Sequence, residues 1–229
     1  MAGKVGPDIS ENGLVLYLDA GNRASYSGSG TTWTDISGNS NNGTLTNGPT
    51  FSAGNLGSIV FDGINDGVDV LNNFGSIQNN VTFETFVKLN GSQNTKIFVS
   101  NYTQVSGASG CGIGIQDGVN NVVKFFTGNL GTTNTLYSTT TLSNNVYYHI
   151  VGTYNGSSKI LYVNANNEAS ATISNAINNT SVLASIGYVT YLSAQYLNGN
   201  IAIARIYNRA LSATEVLQNY NAVKRRFGL

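Results

Sequence analysis

The feature that most constrains this sequence is its punctuation. Short apolar runs recur along the chain, and turn residues close most of them. Leu14–Leu18 follows Asn12-Gly13, Ser58–Phe61 ends at Asp62-Gly63, and Val81–Leu89 ends at Asn90-Gly91. Apolar runs this short, separated by Gly, Asn and Asp, specify many short antiparallel strands and hence a β-sandwich or barrel. In Val81–Leu89, Val81, Phe83, Thr85, Val87 and Leu89 alternate with Thr82, Glu84, Phe86 and Lys88, the period of a pleated strand. The same reading predicts strands at Lys96–Ser100, Gly112–Gln116, Val122–Thr127, Val146–Tyr154, Lys159–Val163, Glu168–Ile173, Val182–Ile186 and Asn200–Tyr207. Asn155-Gly156 lies between two of these and predicts a type I′ hairpin turn, which needs two residues with positive φ. Ile113 and Ile115 alternate with glycines, so that strand has close neighbours on its glycine face.

One helix is expected, at residues 212–227. Ser212 and Glu215 form a capping box, in which each side chain satisfies a free amide of the first turn. Val216, Tyr220, Val223 and Phe227 then make one apolar stripe that must dock on the sheets. Lys224, Arg225 and Arg226 fall in the last turn, where cations suit the negative end of the helix dipole. No linker divides the chain, so residues 12–229 read as one domain. Residues 1–11 form an N-terminal arm, mobile or docked, that is a candidate anchor.

Composition narrows the function. The 41% hydrophobic content, with 13 Tyr and 9 Phe, excludes a disordered chain. The 11 basic and 11 acidic residues cancel, which argues against nucleic acid as a partner. No apolar run is long enough to insert in a membrane, and Met1–Lys4 opens no secretory signal. Cys111 is the one cysteine and His149 the one histidine, so neither a disulfide nor a Cys/His zinc site can form within the chain.

Four blocks carry a family resemblance. They are Gly13–Asn22 (GLVLYLDAGN) with Trp33–Thr44 (WTDISGNSNNGT), Val60–Asp66 (VFDGIND), Tyr147–Gly156 (YYHIVGTYNG) with Leu161–Asn164, and Asn198–Ser212 (NGNIAIARIYNRALS). In this order they resemble concanavalin A-like, laminin-G-like domains. The resemblance implies an all-β fold: a two-sheet antiparallel jelly-roll β-sandwich, here with one short C-terminal helix. Gly6–Ile9 and the ending Lys224–Leu229 add a likeness to the jelly-roll domains of tailed-phage virion proteins. That likeness implies a non-enzymatic decoration or fibre protein, assembled in the host cytoplasm. Its partners would be capsid, neck or tail proteins, and it could form a homo-oligomer. The alternative is a lectin-like module for cell-surface glycans, which fold alone does not decide.

Glycosidases of this fold resemble one another in a Glu-x-Asp-x-x-Glu strand, whose carboxylates flank the scissile bond. The glutamates here are Glu11, Glu84, Glu168 and Glu215, and none has a second acid two or four residues away. No catalytic residue is therefore assigned. His149 reads as a packed, hydrogen-bonded residue, and Cys111 as a small buried thiol with no cation near it in sequence. Asp35, Ser37, Asn39 and Asn41 place oxygen side chains at every second position, as calcium loops do, but Ser40 and Thr46 depart from the EF-hand pattern. Related jelly rolls hold a structural Ca²⁺. The resemblance makes Asp19, Asp35 and Asp62 candidate carboxylates for it, with Asn39 and Asn42 as carbonyl donors. The alternative is a loop of Asx turns. Tyr188, Tyr191 and Tyr196 fall where such domains vary, and Tyr102 follows Asn101 after a strand. These are the candidate sugar-binding residues, or else an oligomer contact. Phe86 stands where the family often carries Trp.

Overall fold

The computed structural model describes residues 8–70, 74, 79–102, 109–129, 132–173, 177, 183–189 and 195–229. In chain order the strands are β1 (Leu14–Asp19), β2 (Thr32–Trp33), β3 (Gly43–Thr46), β4 (Thr50–Ser52), β5 (Ser58–Asp62), β6 (Gly67–Val70), β7 (Val81–Leu89) and β8 (Ile97–Ser100). They continue as β9 (Gly110–Ile115), β10 (Val122–Asn129), β11 (Thr132–Thr141), β12 (Tyr147–Tyr154), β13 (Ser158–Val163), β14 (Asn166–Thr172), β15 (Ala184–Ile186) and β16 (Asn198–Tyr207), followed by helix α1 (Ala213–Val223). One sheet runs β14-β13-β12-β7-β16-β5-β4, with β1 also pairing β16. The other runs β11-β10-β9-β8-β15-β6-β3-β2. We call them the helix-side sheet and the open sheet.

The core lies between the sheets. Phe83, Val87, Ile150, Leu161 and Ile201 from one side meet Phe125, Ile113, Val68 and Ile186 from the other, all at zero exposure. The glycines of β9 let neighbouring strands close in: a Cβ on Gly114 would lie 2.1 Å from the Lys96 carbonyl oxygen. The β12–β13 turn differs from the type I′ expectation. Tyr154 pairs with Lys159, and only Gly156 in the loop has positive φ (89°). Asn155 instead uses its side-chain oxygen, which accepts from the Ser157 and Ser158 amides.

β7 is buried on both faces because α1 covers the second one. Ser212 and Glu215 form the expected capping box. Val216 packs with Val151, Tyr162, Tyr207 and Leu211. Past the helix, a 3₁₀ turn (Lys224–Phe227) presses Phe227 onto Phe86 at 4.7 Å between ring centroids. The stack continues from Phe86 to His149 and on to Tyr220. Phe86 is therefore covered. The basic run lies beyond the α-helical turns, and Arg226 acts as a clip rather than a dipole partner. It binds Asp19 Oδ1 at 2.6 Å and the Asn55 carbonyl at 2.7 Å. The described part of the arm is docked. The Ser10 amide donates to Asn219 Oδ1, and the Gln218 amide nitrogen donates to the Asp8 carbonyl.

At the edge of the open sheet, β11 bulges between its pairings with Lys124 and Val122. Glu168, reaching over from β14, accepts from both the amide and the hydroxyl of Thr139 and of Thr140.

Candidate functional site

Four groups of residues have the chemistry for a site. The first lies beneath α1 and is assembled from β7, β12, β16 and the helix. Glu84 Oε1 accepts from Arg205 Nη1 at 2.8 Å and lies 2.9 Å from His149 Nε2. Its Oε2 accepts from Asn219 Nδ2 at 2.7 Å. Asn219 also donates to the Tyr207 hydroxyl, and Arg205 Nη2 to the Tyr17 hydroxyl. Glu84, His149, Arg205 and Asn219 are all at zero exposure. Burial would raise the Glu84 pKa, but Arg205 and His149 outweigh it and hold the carboxyl at about 2. A sealed, fully ionised carboxylate cannot reach a substrate, so this network serves to seat the helix.

The second group lies on the inner face of the same sheet. Lys159 Nζ donates to Thr127 Oγ1 and the Asn134 carbonyl, 4.7 Å from the centroid of the Phe125 ring. Burial with only neutral acceptors pushes its pKa down to about 7. The amine is also electrostatically coupled to Cys111, so that cysteine does have a basic neighbour in space. Burial still raises the thiol, which donates to Asn101 Oδ1. Asn101 is thus committed to Cys111, whose amide it also accepts, and is nearly unexposed.

The tyrosines form the third group, on the open sheet. Tyr188 and Tyr196 stack almost parallel, with ring centroids 5.6 Å apart and planes 4° apart. The Tyr188 hydroxyl donates to Asp69, and its ring lies over Gly67. Tyr188 is buried, while Tyr196 is half-buried. Tyr102 packs edge-on against Phe126 at 5.0 Å. Tyr191 lies outside the described residues.

Of the candidate calcium residues, Asp35, Asn39 and Asn42 meet in one loop, while Asp19 and Asp62 are bonded elsewhere. Among the described residues no group of three or more His, Cys, Asp or Glu side chains could hold a metal. Asp19 is engaged by Arg226 and the Gly21 amide. Asp35 Oδ1 accepts from the Tyr17 and Ser37 amides, and its Oδ2 from the Ser37 hydroxyl and the Asn41 amide. Asn42 accepts from the Asp35 amide, while Asn39 turns its amide nitrogen to the Leu14 carbonyl. Asp62 caps its own turn through the Ile64, Asn65 and Asp66 amides. Both oxygens of Asp35 are thus occupied by N–H and O–H donors, whereas the described bonds to Asp19 and Asp62 all fall on Oδ1.

The fourth group is a cleft of about 500 Å³ between the docked arm, β1, the Asp35 loop and the end of α1. Sequence reasoning missed it because its walls come from four separate segments. It also missed the Glu84 network, whose other members lie 65 to 135 residues from Glu84. Charges are only 10% of this chain, so a charge inside an apolar strand run was the available signal for Glu84, Arg205 and Lys159.

Two packed antiparallel sheets, closed by one short C-terminal helix, define the class as an antiparallel β-sandwich. The family model for the concanavalin A-like lectin/glucanases superfamily matches residues 61–217, and the chain belongs to that superfamily. No curated protein sequence matches the chain. Among solved structures, it is similar to domain 4 of an extracellular arabinanase from Geobacillus stearothermophilus, solved with arabinotriose. There the TM-score is 0.74 at 15% identity, covering 92% of this chain and 100% of that one. Trypanosoma rangeli sialidase, with bound 2,3-difluorosialic acid, gives a TM-score of 0.68 at 14% identity over 96% of this chain, which spans 36% of the sialidase chain. The binding domain of Paraclostridial Mosquitocidal Protein 1 gives 0.65 at 17% identity, covering 92% of this chain and 52% of that one.

Proposed function

We propose that this chain is a non-catalytic, glycan-binding module that works without calcium. The observation that carries the reading is the corner formed by Tyr188, Tyr196 and Asp69. The stack between the rings and the bond from the Tyr188 hydroxyl to Asp69 fix the pair, and the half-buried Tyr196 keeps part of its ring accessible to the apolar face of a sugar. The arabinanase domain of matching extent, solved with arabinotriose, supports the same ligand class.

The fate of the glutamates supports the absence of catalysis. Glu84 is sealed, Glu168 is filled by threonine donors, Glu215 is held by Arg209 and Ser212, and Glu11 is exposed without an acidic neighbour among its bonded contacts. The finer setting, a surface or fibre component of a tailed-phage particle, rests on the sequence resemblance in the arm and at the C-terminal end.

A glycan array with the purified protein, run with calcium and then with chelator, tests the reading. The expected result is binding to a subset of glycans that persists in chelator and is lost in Tyr196→Ala. A blank array would move the ligand to another virion protein. Hydrolysis of a β-glucan abolished by a single Glu→Gln substitution would make the chain an enzyme.

A further inference from the structure

We infer that the seat of the C-terminal turn is a binding site for an Arg-Phe peptide segment, and that it takes Lys224–Leu229 from a second copy of this chain as well as from its own. The site is separate from the tyrosine corner and independent of the glycan-binding reading.

The seat is built around one guanidinium. Arg226 Nε donates to the Asn55 carbonyl at 2.7 Å, Nη1 to Asp19 Oδ1 at 2.6 Å and Nη2 to the Gly57 carbonyl at 2.6 Å. Each nitrogen of the fork thus has its own acceptor, and Asn55 Nδ2 donates in return to the Arg226 carbonyl. A lysine ammonium carries its donors on one atom and cannot serve acceptors spread around a plane in this way. The receiving backbone is shaped for the task. Asn55 and Leu56 both hold left-handed φ, 51° and 63°, and the Leu56 side chain is left 72% exposed. A leucine held in that region is strained, and the strained pair aims the Asn55 and Gly57 carbonyls at the guanidinium. Gly21 completes the space, since a Cβ there would collide with the guanidinium.

The neighbouring position is read as well. Phe227 stacks on Phe86 and leans on Tyr147, with ring centroids 4.7 Å and 4.8 Å away. Arg225, by contrast, is exposed, and Lys224 rests over Tyr220 of α1. The site therefore selects an arginine followed by a phenylalanine.

Two features make the occupant exchangeable. Asp19, Gly21, Asn55, Gly57, Phe86 and Tyr147 all lie outside α1 and the tail, so the seat persists when the segment leaves it. Val223, at φ −132° and ψ −11°, breaks the helical path between α1 and the 3₁₀ turn and gives a hinge on which the segment swings out. An opened copy uncovers the apolar faces of Phe86 and Phe227, and a second opened copy offers the match for each. An exchanged element makes in trans the contacts it makes in cis, so the pairing needs no new surface.

The test uses the full chain. Arg226→Ala with Phe227→Ala empties the seat, while Asp19→Asn weakens the seat and leaves the tail intact. Fluorescence anisotropy with a labelled Lys-Arg-Arg-Phe-Gly-Leu peptide should show saturable binding to the double variant by about millimolar peptide, the effective concentration of a tethered segment. The same peptide with lysine in place of its second arginine should bind roughly tenfold more weakly or worse, the loss expected for hydrogen bonds to a charged group. Light scattering on an equal mixture of the double variant and Asp19→Asn should show a species of double mass that neither forms alone. A double variant that is folded by circular dichroism yet takes no peptide, or takes both peptides equally, would make the turn a packing element only and overturn the inference. Peptide binding with a mixture that stays monomeric would overturn the second copy as occupant. If the double variant does not fold, Arg226→Lys, which keeps Phe227 seated, replaces it and is judged by the same outcomes.

Discussion

Glu84 and Lys159 lie at zero exposure on opposite faces of the same sheet, yet they are accommodated in opposite ways. Glu84 sits beneath α1, where Arg205, His149 and Asn219 converge on its two oxygens, and it stays ionised. Lys159 sits inside the sandwich among the Thr127 hydroxyl, a carbonyl and an aromatic ring, and its affinity for a proton falls. Burial is the same in both. The difference lies in whether the surroundings supply an opposite charge. With one, a buried ion ties elements together; without one, the interior favours the neutral form.

The largest effect should come from breaking the paired region on one side. Arg205→Met leaves Glu84 buried without its arginine partner, held by His149 and Asn219 alone, and should cost about 3–5 kcal/mol in a denaturant melt. Exchanging both partners, Glu84→Met with Arg205→Met, should recover most of that loss if pairing is what matters.

Next is the unpaired region. Lys159→Met should stabilise the fold at neutral pH, because burial favours the neutral amine while the unfolded chain keeps it protonated. The pH dependence gives the sharper contrast. Lys159 falls from 10.5 to about 7 on folding, so between those values the unfolded chain binds more protons and stability rises with pH. Glu84 falls from 4.5 to about 2, so its contribution is present above 4.5 and is lost as pH drops towards 2. Thermal melts from pH 7 to 9.5 should therefore show a rising stability that Lys159→Met flattens and Arg205→Met leaves in place.

A smaller effect is expected at the helix end of the network. Asn219→Ala removes the donor to Glu84 and the acceptor of the Ser10 amide, for about 1–3 kcal/mol. Hydrogen exchange should then rise together in α1 and in residues 8–11. The smallest belongs to the solvated pair: Asp117→Asn, with Asp117 69% exposed in its contact with Lys124, should change stability by less than about 1 kcal/mol.

The sandwich was legible because its strands are locally consistent. Val81–Leu89 alternates, and Ser212 with Glu215 marks the helix start within four residues of chain. β11 escaped because a threonine-rich edge strand carries little apolar signal, and β2, β3, β4 and β6 because each spans only two to four residues in turn-rich sequence. Asp35 could be placed in a loop of oxygens, but sequence left open whether amides or a cation would fill them. Glu84 looked idle because the acids that matter in a strand are sought two or four residues away. Its partners arrive instead from β12, β16 and α1. Strand pattern is written locally, whereas a polar site on a sandwich is assembled by topology.

The bulge at the edge of β11 also bears on how this protein behaves in a crowd. An outermost strand exposes a row of amides able to recruit another chain. Here Glu168 arrives from the opposite sheet and occupies the amides of Thr139 and Thr140 with its carboxylate, much as a neighbouring strand would with its carbonyls. It fills that stretch of edge while adding a negative charge that an incoming strand would have to displace. A single side chain thus works against edge-to-edge aggregation.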